Sequence, residues 1–176
     1  MAQDDPDSAP GTPGTPGSDG SDGSGVPGSI LRALDGHTTM TLAYIDEDGP
    51  QACAVLYARG GGAEAPVLHF VTSTSTRHGR ALDAPGARAA FTAQRDGQEW
   101  TELTGMQGRG GCRRLAGAER ADAWRTYTER FPFTVASERL RAAMEATDLW
   151  ELRPDWLRLI DNAQGFGHKR EWSASR

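Results

Sequence analysis

From residue 38 the chain alternates, with Met40, Leu42 and Tyr44 set between Thr39, Thr41 and Ala43. A period of two with β-branched residues predicts a strand over 38–45, one face toward a core and the other toward solvent. Asp46-Glu47-Asp48-Gly49 reads as a hairpin turn in which Gly49 is free to take positive φ, and 51–59 as the return strand. A third strand is predicted over 67–72, after Gly60-Gly61-Gly62. A short helix over 76–83, a strand over 87–94 and a hairpin turn at Arg95-Asp96-Gly97-Gln98 follow. The next strand, over 99–114, is so long that its glycines at 105, 108, 110 and 111 must bend or bulge it.

The period then changes. Ala121, Trp124, Tyr127 and Phe131 recur at spacings of three and four, which predicts a helix over 118–130 that packs on the sheet and ends at Pro132. A second helix is expected over 135–146, with strands over 149–152 and 156–160 after it. Ahead of the first strand, Ser29 is placed to cap a short helix over 30–35 that Gly36 closes. Many short antiparallel strands joined by tight turns, with helices at the edge, describe a mostly β fold: a small barrel with added helices.

Residues 1–28 break this pattern, being Gly, Pro, Ser, Thr and Asp with almost nothing to bury, and are expected to form a disordered tail ahead of one domain over 29–176. The tail carries five acids and no base, so the net charge of −5 belongs to it and the rest of the chain is formally neutral. A neutral body argues against a nucleic-acid partner, which requires a net basic face. No apolar run is long enough to span a membrane and no secretory signal opens the chain, so a cytoplasmic protein is expected. Leu, Ile, Val and Phe number only 26 of 176 residues. So thin a core suggests that a second copy supplies part of the burial, hence a homodimer.

The chemistry-bearing stretch is Thr72-Ser73-Thr74-Ser75-Thr76-Arg77-His78-Gly79-Arg80, five hydroxyls running from a strand end into a helix start. Hydroxyls, helix N–H groups and a guanidinium suit a phosphate monoester. The plainer alternative is that they cap the helix. His37, His69, His78 and His168 show no metal-ligand pairing and are expected at the surface or in caps. Cys53 and Cys112 fall in predicted strands as small hydrophobes. Arg109, Arg113 and Arg114 are expected to lie in a salt-bridged surface. Gly165-Phe166-Gly167 with Lys169, the protein's single lysine, forms either part of a ligand pocket or a chain end at the dimer interface.

The order of these segments resembles the pyridoxamine 5′-phosphate oxidase-like split barrels: Asp48-Gly49-Pro50, the strand through Ala54 and Val55, Leu68 to Thr72, Thr76-Arg77-His78-Gly79-Arg80-Ala81-Leu82, and Ala87 to Phe91. Gly105 to Gly110, Arg130-Phe131-Pro132 and Asn162 to Lys169 are similar more narrowly to the YhbP-like branch. The resemblance implies a six-stranded Greek-key barrel that dimerises, with flavin mononucleotide (FMN) between subunits and electrons passing to or from a small substrate. It implies the FMN phosphate at Thr72, Thr76, Arg77 and His78, with Gln107 near the flavin and backbone of Ala54 and Val55 along the ring. Three departures stand out. His78 occupies a position that is usually Lys, and the basic second strand and C-terminal Arg-x-His signature of the oxidase are missing. Deazaflavin or haem in the same fold, or a cofactor-free binding module, are the alternatives.

Overall fold

In the computed structural model, which describes residues 25–175, the first alternating run is strand β1 (Thr39–Asp46), with Met40, Leu42 and Tyr44 buried and Thr39, Thr41 and Ile45 exposed. The further strands are β2 (Gly49–Gly61), β3 (Pro66–Val71), β4 (Arg88–Gln94), β5 (Thr104–Arg114), β6 (Leu149–Asp161) and β7 (Lys169–Ser173). All pairings are antiparallel, in the order β3-β2-β1-β4-β5-β6-β7, and β3 pairs back onto β6. Six strands therefore close on themselves and β7 extends the sheet past β6. The interior holds Met40, Leu42, Phe70, Phe91, Met106, Trp150 and Leu157. Gly108 makes room for that packing, since a Cβ there would lie 2.3 Å from the Phe91 ring.

Helix α1 (Gly28–Gly36) plugs the barrel with Ile30 and Leu34, and the Tyr57 hydroxyl donates to Leu34 O at 2.6 Å. Helix α2 (Arg77–Leu82) joins β3 to β4. Helix α3 (Gly117–Arg130) lays Ala123, Tyr127 and Phe131 on Ala58, Leu115 and Leu149 with Trp124 packed beside them, whereas Ala121, expected in that stripe, is exposed. Helix α4 (Glu138–Glu145) is shorter than expected, because residues 132–135 form a separate 3-10 turn after Pro132.

Four expectations are corrected. Ser29 is not the cap of α1: the helix starts at Gly28 after Pro27, and the Ser29 hydroxyl is buried without a partner. The long strand begins at Thr104 rather than 99, because the Gln98 amide pairs with the Thr104 backbone (Oε1 accepts its N–H at 3.0 Å) and Trp100–Glu102 coil into a 3-10 turn. The two late strands are one, interrupted by a bulge: Arg109 pairs with Trp156 but Gly110 with Pro154, leaving Asp155 unopposed. At such a bulge Pro154 has no ladder N–H to forfeit. His69 is buried rather than at the surface or in a cap, whereas His37, also buried, stands at the C-cap of α1. The segment read as a tail lies outside the described residues as far as 24, whereas Val26 is 5% exposed, packs in the core and bonds to Ala63 O.

Candidate functional site

The hydroxyl loop is ordered by its own bonds. Thr76 caps α2, its Oγ1 accepting the Gly79 N–H at 3.0 Å while donating to Ser73 O at 2.8 Å. Thr72 Oγ1 lies 3.1 Å from Thr76 Oγ1 and 2.5 Å from His78 Nε2. One proton assignment satisfies all of them: His78 donates to Thr72, Thr72 to Thr76, and Thr76 to Ser73 O. Below the chain, Trp150 Nε1 donates to Thr72 O at 2.9 Å, and Asp148 accepts the Thr74 N–H at 3.0 Å. Gly79 is required here, since a Cβ would sit 2.1 Å from Ser73 O.

Charge at this loop is largely spent. Arg77 forks onto Asp46 (Nε to Oδ2, 2.5 Å) and also pairs with Asp48, both in the β1–β2 turn. The Arg77 bond holds the Asp46 carboxyl below its usual range, and the carboxylate in turn raises the guanidinium. Burial pushes His78 below its usual value, toward the neutral imidazole. Thr72, Thr76, Arg77 and His78 are thus brought together as expected, but a phosphate arriving there would compete with two aspartates for Arg77.

The other predicted residues lie elsewhere. Ala54, Thr41, Thr92, Gln107 and Arg158 form one register row across β2, β1, β4, β5 and β6, all on the outer face of the barrel. Ala54 and Gln107 share that face three strands apart, roughly 14 Å. Gln107 is half-buried, with Oε1 3.5 Å from Arg158 Nη1, and borders a cavity of about 470 Å³. Lys169 starts β7 opposite Ile160, exposed on the same face. Val55, expected to line the ring with its backbone, has its side chain in the core.

Sequence reasoning missed the open edge of β2. β3 pairs with β2 only from Tyr57 to Gly61, so residues 49–55 are bonded to β1 alone. Tyr57 N donates to Thr38 O, which sets the alternation: Val55 and Cys53 bond to β1, while Ala52 and Ala54 point their N–H and C=O groups outward. Beside that edge the outer face carries Ala43, Ala52, Ala54, Thr41, Ala90 and Thr92 where a solvated sheet would carry charges. No local sequence signal marks this edge, since it arises from where β3 ends.

The remaining candidates resolve simply. Cys53 is half-buried and Cys112 buried, and burial pushes the Cys112 thiol up to about 12. Among the described residues no group of three or more His, Cys, Asp or Glu is placed to hold a metal, and no helix is long and apolar enough to cross a membrane. Arg113 pairs with Glu119 and Glu151, and Arg114 with Asp83 and Asp148, as a salt-bridged surface predicts. Arg109 differs, lying over the Trp156 ring at 4.7 Å with no carboxylate partner among the described residues.

These features can be set beside known proteins. No family model matches the chain. A UPF0306 protein of Klebsiella pneumoniae is 35% identical over 107 residues, 60% of this chain and 65% of that one, so the match spans just under two thirds of that relative. The UPF0306 protein YhbP of Escherichia fergusonii is 32% identical over 113 residues, 64% of this chain and 71% of its own length. The chain belongs to the UPF0306 (YhbP) family. Solved structures share its fold at lower identity. A heme binding protein from Mycobacterium smegmatis aligns with a TM-score of 0.59 at 23% identity, over 82% of this chain and 55% of that one. HutZ, the heme storage protein of Vibrio cholerae, gives 0.56 at 14%, over 82% and 92%. A Clostridium acetobutylicum protein related to general stress protein 26, of the pyridoxinephosphate oxidase family, gives 0.57 at 12%, over 82% and 92%. The UPF0306 chain therefore has the split-barrel fold of that superfamily.

Proposed function

We propose that this UPF0306 protein is a cofactor-binding split barrel that holds a flat redox cofactor, FMN in the first reading, between two copies of the chain. The observation that carries the reading is the open edge of β2. Ala52 and Ala54 offer unpaired backbone donors and acceptors beside a face of alanines and threonines. An isoalloxazine edge presents alternating N–H and C=O groups that such a strand edge complements, and the small side chains leave room for a ring. At the end of that edge the Thr72–His78 loop supplies hydroxyls for a phosphate, and Arg77 joins them on leaving Asp46 and Asp48. FMN supplies the electron and hydride chemistry; the chain's own residues bind, orient and shield it. Covering the alanine and threonine face with a second copy would also supplement the thin core.

Haem is the second reading, favoured by neighbours whose names state haem binding or storage. A neutral His78 and a neutralised Arg77 suit a phosphate dianion less well than two free cations would. Quenching of flavin fluorescence tests the first reading. FMN should bind saturably to the wild-type chain, and Ala54→Pro, which removes an outward N–H without touching the β1 ladder, should weaken it about tenfold. FMN that fails to bind, with haemin binding instead, would replace the first reading by the second.

A further inference from the structure

On the outer face, a groove of about 500 Å³ lies between β1, β4 and α2, its walls made by Ala43, Pro50, Ala81, Ala87 and Ala90 with Arg109 at its rim. Ala43, Ala90, Arg109 and Trp156 occupy one register row, so an apolar strip ends in a guanidinium. The neighbouring charges are already matched: Arg88 pairs with Asp155, and Arg158, stacked on Trp156 at 4.9 Å, pairs with Glu171 at 2.7 Å. Arg109 alone in this group has only the indole, which fixes its position without cancelling its charge. An apolar cavity with one uncompensated cation at its mouth complements an apolar molecule that carries one acidic group.

We infer that this groove is the substrate subsite, and that it takes a flat apolar compound bearing a single carboxylate or other acid, whose anion pairs with Arg109. The inference rests on reading the barrel as a small-molecule-binding protein, but the site it names is separate from the Thr72–His78 loop.

2-Naphthoate is a suitable probe, with the uncharged 2-naphthalenemethanol as its control and isothermal titration calorimetry as the readout. Naphthoate should bind about tenfold more tightly than the alcohol, the worth of one charge-assisted contact at a partly exposed site. Arg109→Gln, an exposed substitution, should erase that preference, while Arg77→Gln should leave it intact. Ala90→Leu, which fills the groove from its floor, should weaken both probes. Equal binding of acid and alcohol, or an acid preference that survives Arg109→Gln, would overturn the inference. Because the assay contains no flavin, an FMN titration that fails leaves this result standing, and the reverse also holds.

Discussion

Arg77 and Arg109 are the same side chain in opposite circumstances. Arg77, at the start of α2, is held by two aspartates of the β1–β2 turn, inside a loop whose hydroxyls bond to one another. Arg109, on the barrel's outer face, stacks on Trp156 and keeps its charge. The loop has the residue types of a phosphate site but is internally satisfied. The groove has almost no polar motif, yet its cation is uncompensated. Residue type alone did not separate them; their partners did.

The contrast breaks most completely at Gly79. Gly79→Ala drives a Cβ against Ser73 O, and overpacking of this kind costs about 3 kcal/mol. Gly111→Ala, where a Cβ meets nothing within 4 Å, should leave the thermal midpoint almost unchanged. Equal midpoints for the two variants would mean that the hydroxyl loop is not rigidly built. Converting Arg77 toward the state of Arg109 is the next largest step. Asp46→Asn with Asp48→Asn frees the guanidinium and should tighten FMN about tenfold while leaving naphthoate unaffected. Unchanged FMN affinity would show that the phosphate does not reach Arg77.

Acidity sharpens the loop side of the comparison. Burial is the leading cause that lowers His37, His69 and His78 below the usual 6.5. The unfolded chain therefore takes up protons before the folded one does. The stability these imidazoles contribute is present above 6.5 and lost as pH falls through their folded values. A lower urea midpoint at about pH 5.5 than at about pH 7.5 is expected, with the slope reduced in His78→Gln. Asp46, held low by Arg77, adds a loss only below its usual 3.8. The smallest effect concerns the support of Arg109. Trp156→Leu should weaken naphthoate about threefold, the scale of one exposed cation–π contact, and an unchanged affinity would show that the indole does not position the cation.

The strands that alternate cleanly, such as β1, were legible from period alone. β6 was not, because Arg153-Pro154-Asp155 interrupts its alternation and only the pairing with β5 reveals a bulge there. β7 was missed for the opposite reason: Lys169 to Ser173 is too polar to read as a strand and exists because β6 offers it an edge. At the site, Thr72, Thr76, Arg77 and His78 were found together by their composition. The Asp46 and Asp48 carboxylates that occupy Arg77 come from 31 and 29 residues away, and no local pattern announces them. The open edge of β2 and the free charge of Arg109 are likewise properties of what fails to pair, which only tertiary structure displays.

The central claim, that the open β2 edge and its alanine–threonine face hold a flat cofactor, is met most directly by one spectrum. The purified protein is incubated with FMN and, in parallel, with haemin, desalted, and its visible absorbance recorded beside that of Ala54→Pro. The account predicts a flavin spectrum retained by the wild-type chain and lost by the variant. A colourless protein after both incubations would contradict it.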